Sequence, residues 1–242
     1  MNLYKISKNE DFAQTGANLV AGLLQTNPRA VLGLATGSSP ISVYEELAAM
    51  HRRGLVSFSK ASSFNLDEYV GLPADHPESY RSFMNRNLFD HIDIDLTRTH
   101  IPDGNAPDLA AECRAYDAML EEQGPVDLQI LGIGGNGHIG FNEPGTGLEG
   151  GTHVVDLLPE TRQANSRFFP SIDEVPRQAI TMGIGTILKA RQILLLARGA
   201  EKAEAIRKAV RGPITTECPA SLLQTHPNVV VLLDEGAGQW VN

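Results

Sequence analysis

Short apolar runs that end in glycine- or carboxylate-bearing turns and then lead into helical patterns recur along the chain, and this alternation limits the fold more than any other feature. RAVLGLATGSSP carries an apolar run, residues 30–35, into Thr36, Gly37, Ser38 and Ser39, and ISVYEELAAMHRRG then reads as a helix that Pro40 can open and Gly54 can close. Further runs lie at 63–66, 126–130, QILLLA and 229–233, and AITMGIGTILKA joins a strand-like start to a short helix. Helical spacing covers 11–24, 78–90 and Leu109–Gln123, and RGAEKAEAIRKAV reads as a helix too; Tyr80, Phe83, Leu88 and Phe89 are expected to turn inward as scaffold. Strands alternating with helices predict an α/β fold with a doubly wound, mostly parallel sheet, helices on both faces, Rossmann-like, over 1–242 as a single domain.

The chemistry concentrates in LGIGGNGHIGFNEPG, residues 131–145, which follows the apolar run at 126–130. Glycines strip side chains from this turn and let its backbone approach a ligand. Within it stand His138 and, five residues later, Glu143, with the amides of Asn136 and Asn142 beside them. A histidine titrates near neutral pH, and a carboxylate can fix its tautomer and raise its basicity, as a general acid/base dyad requires. The plainer reading is a glycine-rich loop whose histidine bonds backbone.

Other candidates sit where open α/β sheets place their ligands, at strand C-terminal ends. Asp67 is the candidate base, with a turn or capping carboxylate as the alternative, and Glu68 should face away from it if strand alternation persists. Thr36, Gly37, Ser38 and Ser39 precede a helix N-terminus, where free amides, the helix dipole and hydroxyls suit one phosphate; the same residues also serve as plain caps. No GxxxxGK[ST] or GxGxxG follows that strand. Arg167 offers a fork of donors, or is a surface arginine, and Lys202 in a helical first turn either meets an anion or is solvated. The glycines from 145 to 151 suggest a mobile excursion over the crevice up to residue 165, able to act as a lid.

Charge and composition remove several classes. Twenty Lys+Arg against 29 Asp+Glu give a net charge of -9 with no basic run, which argues against nucleic acid. No apolar run approaches a bilayer span and the first twenty residues lack an apolar signal core, so no membrane partner and a cytoplasmic location are expected. Cys113 and Cys218 stand far apart without metal-ligand spacing, so neither a disulfide framework nor a zinc site is suggested.

LATGSSP, FNLDEYVGL followed by HPESY, GNGHIGFNEPG, ANSRFF and TMGIGTIL stand in this order along essentially the whole chain, and with them the sequence resembles the glucosamine-6-phosphate deaminases. The resemblance implies opening of the amino-sugar ring, proton transfer from carbon 2 to carbon 1, and loss of ammonia to water, giving fructose 6-phosphate. It makes Asp67 the enolisation base, His138 the ring-opening acid/base, Glu143 its orienting carboxylate, and Thr36, Gly37, Ser38, Ser39, Arg167 and Lys202 the phosphate site. No metal or organic cofactor is implied, and the partner is a small amino-sugar phosphate. Asn136 falls where many members carry an aspartate as a further ring-opening residue, and it is expected to orient by hydrogen bonding instead of by charge, shifting the pH optimum. His153 and Val155 stand where hexameric, N-acetylglucosamine 6-phosphate-activated members carry arginine and lysine, so no such activation and a monomer or small homo-oligomer are expected. The rival readings are a 6-phosphogluconolactonase-like hydrolase and a sugar-phosphate sensor without turnover.

Overall fold

The computed structural model describes residues 1–241. The strands in chain order are β1 (Asn2–Ile6), β2 (Val31–Leu34), β3 (Ser62–Asn65), β4 (Asp67–Tyr69), β5 (Thr99–His100), β6 (Leu128–Leu131), β7 (His153–Asp156), β8 (Gln178–Thr181), β9 (Ile193–Ala197) and β10 (Val229–Asp234). The helices are α1 (Asn9–Thr26), α2 (Ser38–Arg52), α3 (Tyr80–Asn87), α4 (Leu109–Gln123), α5 (Pro159–Asn165), α6 (Ile184–Leu188) and α7 (Ala203–Arg211). Seven strands pair in parallel in the order β1-β10-β9-β6-β2-β3-β5. ILLLA of β9 is buried throughout and VVVLLD of β10 nearly so, as strands covered on both faces must be.

The strand order places the site. From β2 the chain steps through α2 to β3 on one side, whereas from β6 it goes on to β9 on the other. With right-handed crossovers, connections stepping in opposite directions lie on opposite faces, and the crevice opens beyond the carboxyl ends of the two strands where the direction reverses. Those strands are β2 and β6, which pair directly, Leu32 with Leu128. The turn Thr36–Ser39 and the glycine loop therefore meet side by side.

Several expectations shift. The strand ending at 66 stops at Asn65, and Asp67 instead opens β4 in a second, antiparallel sheet of order β4-β8-β7, paired with Thr181. Residues 145–165 are not merely a glycine-rich excursion: they supply β7, paired with β8, and α5. That pairing partner lies 25 residues downstream, His153 against Thr181 at one end and Asp156 against Gln178 at the other, beyond the reach of local periodicity. β1 escapes an apolar-run search because it is an edge strand, with Tyr4 exposed and Leu3 and Ile6 half-buried. Both cysteines are buried and free. Among the described residues no helix is long and apolar enough to cross a membrane.

Candidate active site

A cleft of ≈ 350 Å³ opens at the crevice, lined by Thr36, Gly37, Ser38, Ser39, Asp67, Asn136, His138, Arg167 and Lys202, all nine drawn from five separated stretches of sequence. Glu143, the tenth candidate, stands behind His138 rather than at the surface of the cleft.

At one end the chain leaves β2 through Gly37, whose φ of +97° an L side chain rarely adopts, and enters α2 at Ser38. Ser38, Ser39 and Pro40 fill the first turn, so Pro40 lies two residues inside the helix start rather than opening it. No side chain caps this N-terminus and no acidic residue occupies its first turn, so its amides and dipole face the cleft unopposed. Lys202 closes a short 3-10 turn, Ala200–Lys202, just before α7 rather than lying within the helix. Burial lowers its pKa, partly offset by Glu201, and the Arg167 charge lowers it further. Arg167 is exposed, stacked on Phe168 at 4.7 Å. Two cations close enough to repel are relieved by an anion between them.

At the other end Glu143 organises the glycine loop. Its Oε2 accepts from His138 Nδ1 at 3.1 Å and from Asn136 Nδ2 at 2.9 Å, and its Oε1 from Thr161 Oγ1 at 2.5 Å. Burial raises the Glu143 pKa, but the hydrogen bonds and charge of His138 and the donors Thr161 and Asn136 outweigh it and hold the group below its ordinary range. An ionised carboxylate only accepts, so His138 Nδ1 carries the proton and Nε2 is left free for the cleft. Gly134 makes room for this ring, because a Cβ there would collide with the imidazole.

Asp67 has the opposite surroundings. It is 6% exposed, its carboxylate draws no hydrogen bond among the described residues, and its pKa is pushed up to about 8 by burial and then by the neighbouring Glu68 charge. Glu68 faces away from the cleft, as alternation requires, and is buried against the start of α3. There it accepts from the backbone N–H groups of Tyr69 and Tyr80 at 2.9 Å and Arg81 at 3.0 Å. Burial raises the Glu68 pKa, with those amides and the Arg81 charge opposing.

Tyr80, Thr161 and Asn165 are among the further residues that line the cleft. Tyr80, assigned to scaffold from helical spacing, faces Asp67's side of it and stacks on Phe141, with ring centroids 6.1 Å apart and planes at 14°. The signal for Tyr80 was HPESY itself, a serine cap with the aromatic residue one position inside, since Ser79 accepts from Ser82 N. Thr161 had a signal in PETRQAN, where Pro159 opens a helix that sets Thr161 and Asn165 on one face, but nothing local reveals that the face meets Glu143. Among the described residues no group of three or more His, Cys, Asp or Glu side chains is arranged to hold a metal ion.

Comparison with known proteins adds an independent line. A model of the family described as glucosamine-6-phosphate isomerases/6-phosphogluconolactonase matches residues 8–232. The glucosamine-6-phosphate deaminase of Geobacillus sp. (strain WCH70) is 52% identical over 237 residues, 98% of this chain and 94% of that protein. The glucosamine-6-phosphate deaminase of Halothermothrix orenii is 54% identical over 227 residues, 94% of each. The solved structure of a monomeric glucosamine-6-phosphate deaminase superposes with a TM-score of 0.96 at 49% identity and covers 99% of both chains. The 6-phosphogluconolactonase of Trypanosoma brucei superposes at 0.81 with 20% identity over 100% of this chain and 98% of that one, a likeness of fold alone.

Proposed function

The chain belongs to the glucosamine-6-phosphate isomerase/6-phosphogluconolactonase family, and on that premise we propose that it converts D-glucosamine 6-phosphate and water to D-fructose 6-phosphate and ammonium. The reaction is an aldose-ketose isomerisation coupled to deamination. The observation that carries this reading is one cleft holding a buried, unpartnered carboxylate and a carboxylate-held histidine, with an uncapped helix N-terminus and two cations at its far end.

In this reading the substrate phosphate lies on the amides of Gly37, Ser38 and Ser39 and the hydroxyls of Thr36, Ser38 and Ser39, with Arg167 and Lys202 around it. His138 opens the ring, taking the proton of the anomeric hydroxyl and delivering it to the ring oxygen as the bond from carbon 1 to that oxygen breaks, and Glu143 stabilises the transient imidazolium. Asp67, ionised, removes the proton from carbon 2, giving a cis-enolamine, and returns it to carbon 1. Water then adds to the ketose imine and the carbon–nitrogen bond breaks, releasing ammonium. A carboxylate raised to about 8 suits the enolisation, because a base gains strength as its pKa rises toward the working pH. The chain, read as one catalytic domain over 1–242, acts as a monomer in the cytoplasm without activation by N-acetylglucosamine 6-phosphate.

The test is incubation with glucosamine 6-phosphate and separate assays of both products. Ammonium and fructose 6-phosphate in equal amounts support the reading; hydrolysis of 6-phosphogluconolactone with no ammonium from the amino sugar overturns it.

A further inference from the structure

Thr161 has no part in the reaction above, yet it completes the shell around Glu143. It lies on α5, 18 residues away in sequence, is 5% exposed, and donates to the carboxylate oxygen that His138 and Asn136 leave open. α5 runs without a break into the 3-10 turn Ser166–Phe168, which carries Arg167. Positions 160, 161, 164, 165 and 167 of this element all line the cleft, a spacing that sets them along one helical face. Thr161 and Arg167 are thus separated by about 9 Å of a single short rod, at 1.5 Å per residue. Its other side-chain anchors are few: Asn165 Nδ2 donates to the Tyr69 hydroxyl at 2.9 Å, and Arg162 Nη2 to the carbonyls of Ile172 at 2.8 Å and Val175 at 3.0 Å.

We propose that Thr161 is a positioning residue through which occupation of the phosphate end of the cleft sets the His138–Glu143 dyad, since one rod carries Thr161 on the dyad and Arg167 at the phosphate. A dianion that draws Arg167 toward Ser38, Ser39 and Lys202 seats the whole rod and holds the Thr161 hydroxyl on Glu143. Binding energy from a group remote from the reacting carbons is then spent on orientation at the reacting centre. The inference rests on the function proposed above.

The test divides the substrate in two. Parent, Thr161→Val, which keeps side-chain size without the donor, and Thr161→Ser, which keeps the donor, are assayed on glucosamine 6-phosphate and on glucosamine with and without inorganic phosphite. Phosphite should raise kcat/KM for glucosamine at least about tenfold on the parent and on Thr161→Ser, and less than about twofold on Thr161→Val. On the intact substrate Thr161→Val should lose about tenfold in kcat with KM within about twofold, and Thr161→Ser should retain most of the parental kcat. Equal activation of parent and Thr161→Val by phosphite, or none on the parent, overturns the coupling. Thermal melts separate a folding defect in Thr161→Val, which lowers the melting temperature but leaves phosphite activation at the parental level and so also overturns it. A parent that does not turn over glucosamine 6-phosphate fails the functional reading itself, and the inference falls with it.

Discussion

Asp67 and Glu143 are both carboxylates set at one cleft, and their surroundings drive them in opposite directions. Asp67 opens a strand, is buried, and has another carboxylate as its sequence neighbour and no donor; its pKa is pushed up to about 8. The Glu143 side chain is largely enclosed too, 7% exposed, but three donors converge on it and hold it below its ordinary range. Burial by itself therefore does not decide the state of a carboxylate; its balance against the donors and opposite charges delivered to the group does. Glu68 shows the balance tipping the other way, since it collects three backbone N–H groups and burial still raises its pKa. In the proposed reaction one carboxylate accepts a proton and another holds a charge beside an imidazole.

The contrast is broken most severely by Asp67→Asn, which removes the proposed base and should lower kcat by roughly 1,000-fold, measured as ammonium release. Glu143→Gln leaves an acceptor for Nδ1 without the charge that stabilises an imidazolium, and should cost roughly 100-fold in kcat. Asp67→Asn should nonetheless be more stable than the parent at pH 8. The folded state holds a proton that the unfolded state releases above 3.8, so Asp67 ionisation makes parental stability fall as pH rises from 3.8 to about 8, and it contributes no slope above that. Urea titrations across this window should show a slope in the parent that is missing in Asp67→Asn. Glu68→Gln removes a buried negative charge that raises the Asp67 pKa, so the acidic limb of the parental kcat/KM profile should move to lower pH. The smallest effect is expected from Asn136→Asp. It places a second carboxylate where an amide now donates to Glu143 at 2.9 Å, and the added negative charge should favour imidazolium, moving the His138-dependent limb to higher pH with activity retained.

What the sequence by itself determined was local. Apolar runs and their turns marked β2, β6, β9 and β10 because central parallel strands are buried on both faces and cannot hide their composition. The glycine loop and the Thr36–Ser39 turn were legible because a backbone that must approach a ligand leaves a density of small residues behind. Residue chemistry at turns and strand ends picked out the ten residues that the fold gathers at or just behind one cleft, and the family resemblance implied their roles. Only the tertiary structure decided what surrounds each of them. That Asp67 belongs to a second sheet with Thr181, that Glu68 caps α3 from outside it, and that α5 delivers Thr161 to Glu143 depend on contacts between segments 13 to 114 residues apart. Such contacts leave no periodicity in either segment, because burial, hydrogen-bond donors and nearby charge are properties of a place in space, and a carboxylate's proton answers to that place.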